Sequence, residues 1–193
     1  MNPVIRRTIR TLAVLMLLAI AVCSFYCYVS QIRPLISQAQ AVLDTASPED
    51  RAALTKFAPL ILRAHGGSIA YPVADALGSR YDALHCPRNS LKWHACMFFQ
   101  TTALGASFEQ DELALLWSRL IYVGYHERGL AFAARERFSK RLDALSLDEL
   151  AELVALAHAP ATYMQDPVRL EKRKRWLLEG PAAGPRAPMP SSS

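Results

Sequence analysis

The side chains able to do acid–base chemistry are few and widely spaced. Glu49-Asp50 stands near the start of the polar portion and Glu109 in its middle, with no glutamate anywhere from Arg51 to Phe108. A positioned carboxylate can take a proton from a reacting hydroxyl, a contribution of about a hundred- to ten-thousand-fold in rate, and Asp75 and Glu109 are the candidates. Neither sits in a recognisable catalytic motif, and each also reads as a solvated helix residue. Ser68 with His65 nearby offers a nucleophile and a base but no third member. His85, Cys86, His94 and Cys96 are zinc-ligand types, yet their spacing matches no standard site, so no metal is expected. Cys86 and Cys96 pair more naturally as a disulfide, provided they face an oxidising compartment. Closing that short loop is worth about 2–3 kcal/mol by loop entropy.

Helix punctuation runs through the segment carrying these residues. Ser47-Pro48-Glu49-Asp50 places a capping serine before a proline at the first helical position, and Leu54, Phe57, Leu60 and Ile61 follow at helical spacing. Glu49-Asp50 therefore reads as a helix start, and that helix is expected to end near Gly66-Gly67. Ser107-Phe108-Glu109-Gln110 and Ser146-Leu147-Asp148-Glu149 both have capping-box form, with Gly124 and Pro160 as the expected ends of the two helices. A last helix is expected from Pro167 to Glu179, stopping at Gly180. No segment alternates with period two, so the fold class is all-α.

Thr11 to Val29 is a continuous apolar run of 19 residues, long enough to span a bilayer core. Arg6, Arg7 and Arg10 precede it, which by the positive-inside bias keeps residues 1–10 in the cytoplasm. Phe25 to Val29 offers no small-x-small cleavage site, so residues 11–29 read as an uncleaved signal anchor. Cys23 and Cys27 fall inside it. Residues 30–46 form a membrane-proximal linker or helix, 47–180 one helical domain, and 181–193 a Pro/Ala/Ser tail expected to be disordered.

The net charge is +5 and the pI about 9.2, but the three leading arginines carry much of that excess. With no basic–aromatic stripe, nucleic acid is not an expected partner. Arg169, Lys172, Arg173, Lys174 and Arg175 form a basic run on the last helix that either faces solvent or meets phosphates.

From Asp111 to Leu178 the chain resembles the back half of a peptidoglycan glycosyltransferase domain, the transglycosylase half of class A penicillin-binding proteins (glycosyltransferase family 51). The family's Lys-x-x-Ile-Leu-x-x-Tyr-Leu-Asn motif is echoed in length by Gln110-Asp111-Glu112-Leu113-Ala114-Leu115-Leu116-Trp117-Ser118-Arg119, with Gly124 after it. Gly129-Leu130-Ala131-Phe132-Ala133-Ala134-Arg135-Glu136-Arg137-Phe138-Ser139-Lys140 is similar to Gly-x-x-x-Ala-Ala-x-x-Tyr-Phe-x-Lys. Leu145-Ser146-Leu147-Asp148-Glu149-Leu150-Ala151 and Ala159-Pro160 match the next helix and its end. Pro167, Arg169, Arg173 and Leu178 fall on the last motifs. Further back, His65-Gly66-Gly67-Ser68-Ile69 resembles the Gly-Gly-Ser-Thr that opens the family's substrate loop, without its glutamines and lysine. The two glutamates that do the family's chemistry have no counterpart: one position falls on Met97, or on Ala95 in an alternative register, and the other leaves only an echo at Glu49-Asp50.

The resemblance implies a lysozyme-like helical domain behind a single transmembrane helix, in the bacterial inner membrane with the domain in the periplasm. It also implies Gly66, Gly67, Ser68 and Arg173 as substrate-binding residues. With both glutamates missing, the expectation is a binding or scaffolding protein of envelope and peptidoglycan assembly. Its partners would be the membrane, a lipid-linked peptidoglycan precursor or glycan strand, and envelope assembly proteins. The alternative is a divergent glycosyltransferase that recruits Asp75 or Glu109. No cofactor is expected, a divalent metal only for the enzyme. An acidic side chain in a groove beside Ser68 and Arg173 would favour the enzyme; a groove filled by Met97, Phe98 and Phe99 would not.

Overall fold

A computed structural model describes residues 3–81, 84, 86 and 91–180. The tail 181–193 and His85 lie outside the described residues, as do the side chains of Cys23 and Cys27. Among the described residues every extended element is helical, with one isolated antiparallel bridge between Tyr122 and Arg128.

The first helix, α1 (Pro3–Cys27), begins well before the apolar run and passes through a π-helical turn (Tyr28–Ile32) into α2 (Arg33–Asp44). The segment 30–46 is thus helical through most of its length. Ile9, Leu12, Leu15, Leu17, Leu18 and Val22 of α1 are all exposed. Counting described residues alone, no helix is long and apolar enough to cross a membrane.

α3 (Pro48–Ala64) starts as its sequence dictates. The Ser47 hydroxyl accepts the Asp50 N–H at 3.1 Å, the Asp50 carboxylate accepts the Ser47 N–H at 3.0 Å, and Pro48 occupies the first turn, where no donor is needed. Phe57, Leu60 and Ile61 are buried on one face. α4 (Ala70–Arg80) and α5 (Leu91–Ser107) follow, with Cys86 bonded to Cys96 of α5.

α6 (Gln110–Leu120) starts differently from the sequence pattern. Ser107 is the last residue of α5, and the cap is Glu109, whose backbone is extended and whose N–H is accepted by Glu112 at 2.9 Å. Phe108, buried between the two helices, sets the corner there. Gly124 does not end α6, which stops at Leu120. It lies instead in the turn bridged by Tyr122 and Arg128, at φ +93°.

α7 (Leu130–Phe138) leads through a 3-10 turn (Leu142–Ala144) to α8 (Leu147–His158), capped by Ser146 and Glu149. Pro160 both closes α8 and opens a single turn, α9 (Pro160–Tyr163); α10 (Pro167–Glu179) then ends at Gly180. The core forms where α3 packs on α6 and α8, α4 on α5 and α6, and α10 on α8. Phe57, Ile61, Leu77, Leu113, Leu116, Trp117, Leu150, Leu153 and Leu177 fill it.

Candidate functional site

Four separate stretches of chain meet around a cleft of about 440 Å³, within the range of small-ligand sites. The end of α3 supplies His65, α4 supplies Tyr71, Pro72 and Asp75, and α6 with its following turn supplies Trp117, Tyr122 and Arg128. The C-terminal end of α8 and the next turn add His158 and Pro160. Tyr71 and Tyr122 are exposed, while Trp117 is 2% exposed and meets His65 edge to face with ring centroids 5.4 Å apart. The Trp117 indole N–H and His65 Nε2 are buried with no hydrogen-bond partner in the protein. Burial, then the neighbouring His158 and Arg173, holds His65 below the ordinary imidazole range; burial and Arg173 do the same to His158. Arg128 donates to the Leu120 carbonyl at 3.2 Å, which pins the turn over the cleft.

Asp75 is the acidic residue among those lining the cleft. It also lines a small cavity of about 10 Å³ together with Met97, Gln100 and Trp93, so it stands in the wall between the two. Met97 is buried there, whereas Phe98 and Phe99 are exposed and line neither space. Glu109 is the N-cap of α6, exposed and not among the residues lining the cleft.

Gly66 and Gly67 form the turn after α3 at φ +68° and +91°, backbone that glycine adopts without strain. Ser68 is exposed beside them and does not line the cleft. Arg173 lies behind the cleft rather than in it, stacked over Trp176 at 4.3 Å and donating to the Ala64 carbonyl at 3.4 Å. Gly66, Gly67, Ser68 and Arg173 are thus not among the residues lining this cleft. Among the described residues no group of side chains has the makings of a metal site.

Glu49 and Asp50, the echo of an acidic motif, are buried and engaged. Glu49 accepts the Leu142 N–H at 2.6 Å and the Arg135 guanidinium at 3.0 Å; Asp50 pairs with Arg119. Their oxygens hold α3 against α6, α7 and the 3-10 turn, not against the cleft.

Tyr71, Tyr122, Arg128 and His158 had no signal in the sequence, because they come from three separate stretches, α4, the turn after α6 and the end of α8. Trp117 is a core residue, and its edge also walls the cleft.

The chain is similar to proteins of peptidoglycan-type transglycosylase families. It is 35% identical over 72 residues to penicillin-binding protein 1A of Pseudomonas aeruginosa, a stretch covering 36% of this chain and 9% of that protein. It is 39% identical over 72 residues to a protein of Cupriavidus necator named as a transglycosylase, covering 36% of this chain and 31% of that one. Against penicillin-binding protein 1A of Escherichia coli it is 39% identical over 54 residues, 28% of this chain and 6% of that protein. The chain thus spans less than a third of the length of these curated relatives. The model of the family described as Transglycosylase matches residues 83–181. That match takes in just over half of the chain, from the segment before α5 to the end of α10, and on it this chain belongs to the transglycosylase family.

Proposed function

We propose that this protein is a membrane-anchored, periplasm-facing, lysozyme-like member of the family that binds peptidoglycan glycan without polymerising it, in a scaffolding role during envelope assembly. The observation that carries this reading is Met97. By the family resemblance the position of a family glutamate falls on Met97, or on Ala95 in the alternative register, and Met97 is 5% exposed and packs in the core between α4 and α5. A thioether there neither takes a proton from an attacking hydroxyl nor stabilises developing charge. Glu49 supports the reading too, since both its oxygens are already hydrogen-bonded within the fold.

Anchoring is supported by α1, whose described apolar side chains are exposed along its length, with Arg7 and Arg10 at its start. It is roughly 37 Å long at 25 residues, and the apolar run 11–29 in the sequence is of the length a bilayer core requires. So much apolar surface in water is unfavourable, and a lipid environment removes the cost.

The cleft suits a sugar: exposed tyrosine rings on two sides, a carboxylate, imidazoles and a guanidinium. The test is cosedimentation of the detergent-solubilised protein with isolated glycan strands. Retention that falls about tenfold in Tyr71→Ala and Tyr122→Ala supports glycan binding in this cleft; unchanged retention places binding elsewhere, and none at all removes the reading. The divergent-enzyme alternative rests on one observation, that Asp75 lines the cleft.

A further inference from the structure

α5 turns toward solvent a face that its side chains do not suit to water. Leu91, Ala95, Phe98, Phe99, Thr102 and Ala106 recur at helical spacing and are all exposed, Leu91 at 85%, Phe98 at 66% and Phe99 at 47%. Met97, Gln100 and Leu104 lie on the opposite, buried face. Lys92 and His94 flank the apolar stripe, and α5 carries no aspartate or glutamate. The helix packs against α4, α2 and the π-helical turn Tyr28–Ile32, where α1 joins the domain. Phe25, Tyr26 and Tyr28, at that same junction, are exposed as well.

We propose that α5 is a membrane-surface helix, whose stripe of Leu91, Phe98 and Phe99 enters the acyl region of the bilayer beside the point where α1 leaves it. This rests on the reading of α1 as a membrane anchor and adds to it a second, non-spanning contact made by the folded domain. A helix with one aromatic and aliphatic face, basic residues at its edges and no acid has the makeup of one that lies in the plane of a lipid interface. The Lys92 ammonium suits phospholipid phosphate, which would repel an acidic residue there. Phe25, Tyr26 and Tyr28 supply aromatic rings of the kind that favour the boundary between acyl chains and headgroups, and the π-helical turn that follows them is the surface on which α5 packs.

Proximity decides between lipid and a protein partner. At 17 residues α5 is about 25 Å long, and because it touches the turn at the end of α1, its whole length lies close to the bilayer surface. Held there by α1, the stripe meets lipid at a high effective concentration, so a modest gain from each immersed ring is enough to seat it. A stable protein interface buries about 800 Å² on each partner. A stripe whose large side chains are Leu91, Phe98 and Phe99 falls well short of that, whereas immersion in lipid has no such threshold.

The experiment places the full chain in vesicles of phosphatidylethanolamine and phosphatidylglycerol and reads tryptophan quenching by lipids brominated along the acyl chain. Phe98→Trp and Thr102→Trp each put an indole on the stripe, and Val168→Trp puts one on the exposed side of α10, which packs on α3, α8 and α9 instead. Relative to the unsubstituted chain, the two α5 variants are expected to gain a blue-shifted emission that brominated lipid quenches about twofold, and Val168→Trp a water-like emission that it leaves unquenched. An alkaline carbonate wash of the same vesicles tests the anchor separately. Retention of the chain with neither α5 indole quenched overturns the proposal and leaves the anchor reading intact, whether those indoles emit as in water or are shielded by a second copy of the chain. Release of the chain by the wash overturns both.

Discussion

Arg63 and Arg173 each hold the end of the other's helix. Arg173, on α10, donates to the carbonyl of Ala64 at the end of α3, while Arg63, on α3, donates to the carbonyls of Leu177 and Leu178 at the end of α10, the latter at 2.8 Å. The last carbonyls of a helix lack partners within it and carry partial negative charge, so a guanidinium there is doubly favoured. The reciprocal pair fixes the glycine turn and His65 at the rim of the cleft.

Arg173→Ala removes that bond and the stacking on Trp176. A loss of about 1–3 kcal/mol is expected in denaturant unfolding. Arg173→Lys restores less than half of it, because an ammonium cannot both stack and fork. Wild-type stability in the alanine variant would mean that Arg173 is held by nothing and is available to a ligand.

Glu49 makes a second long-range tie, to the Leu142 N–H 93 residues away. Glu49→Ala strands a buried N–H and takes the partner from Arg135, a cost of about 2–3 kcal/mol. Glu49→Gln keeps an acceptor and is expected to lose about half as much. The measurement is the urea midpoint; an unchanged midpoint in the alanine variant would release Glu49 from its structural role and return it to the catalytic candidates.

Acidification acts through the cleft histidines. His65 and His158 have folded-state pKa values below the ordinary 6.5, so below that pH the unfolded chain binds more protons and stability falls. Their contribution is complete above pH 6.5 and is lost as pH drops through the folded values. Thermal unfolding between pH 8 and 5 is expected to show the decline, and His65→Gln to flatten it. A Tm that rises on acidification would contradict the assigned direction.

Gly129 caps α7 at φ +102°, and a Cβ there would sit 3.2 Å from the Arg119 carbonyl oxygen. Gly129→Ala is therefore strained by both backbone conformation and a fixed backbone atom, and is expected to cost about 1–3 kcal/mol. At Gly66, also at positive φ, a Cβ meets nothing within 4 Å, so Gly66→Ala carries the conformational penalty alone and the smaller loss. Equal Tm changes for the two would show that the close contact at Gly129 relaxes freely.

Local signals in the sequence marked the helices well where the cap is chemical. Ser47 with Asp50 and Ser146 with Glu149 start α3 and α8 as their spacing dictates, and Gly180 ends α10. The pattern failed at Ser107, which has the same form but continues α5, because burial of Phe108 moves the corner two residues on and leaves Glu109 as the cap. The site was less legible. Asp75 was visible as a carboxylate, but its neighbours His65, Trp117, Tyr122 and His158 come from three other stretches of the chain, and nothing in their local sequence says that they meet. Gly66-Gly67-Ser68 and Arg173 carried a family resemblance, yet the turn faces solvent and the arginine is tied to Ala64. The partners of Glu49 were invisible for the same reason, being set by tertiary packing across α3, α7 and the 3-10 turn.

Our proposal is that the chain keeps a transglycosylase scaffold without polymerising glycan. It is tested most directly by giving the purified, detergent-solubilised protein labelled lipid-linked disaccharide precursor, with and without divalent metal, and resolving the products on a gel. The account predicts no polymer while an active polymerase in a parallel reaction produces it. Polymer from this chain, lost in Asp75→Ala, would contradict the account and make Asp75 the replacement base.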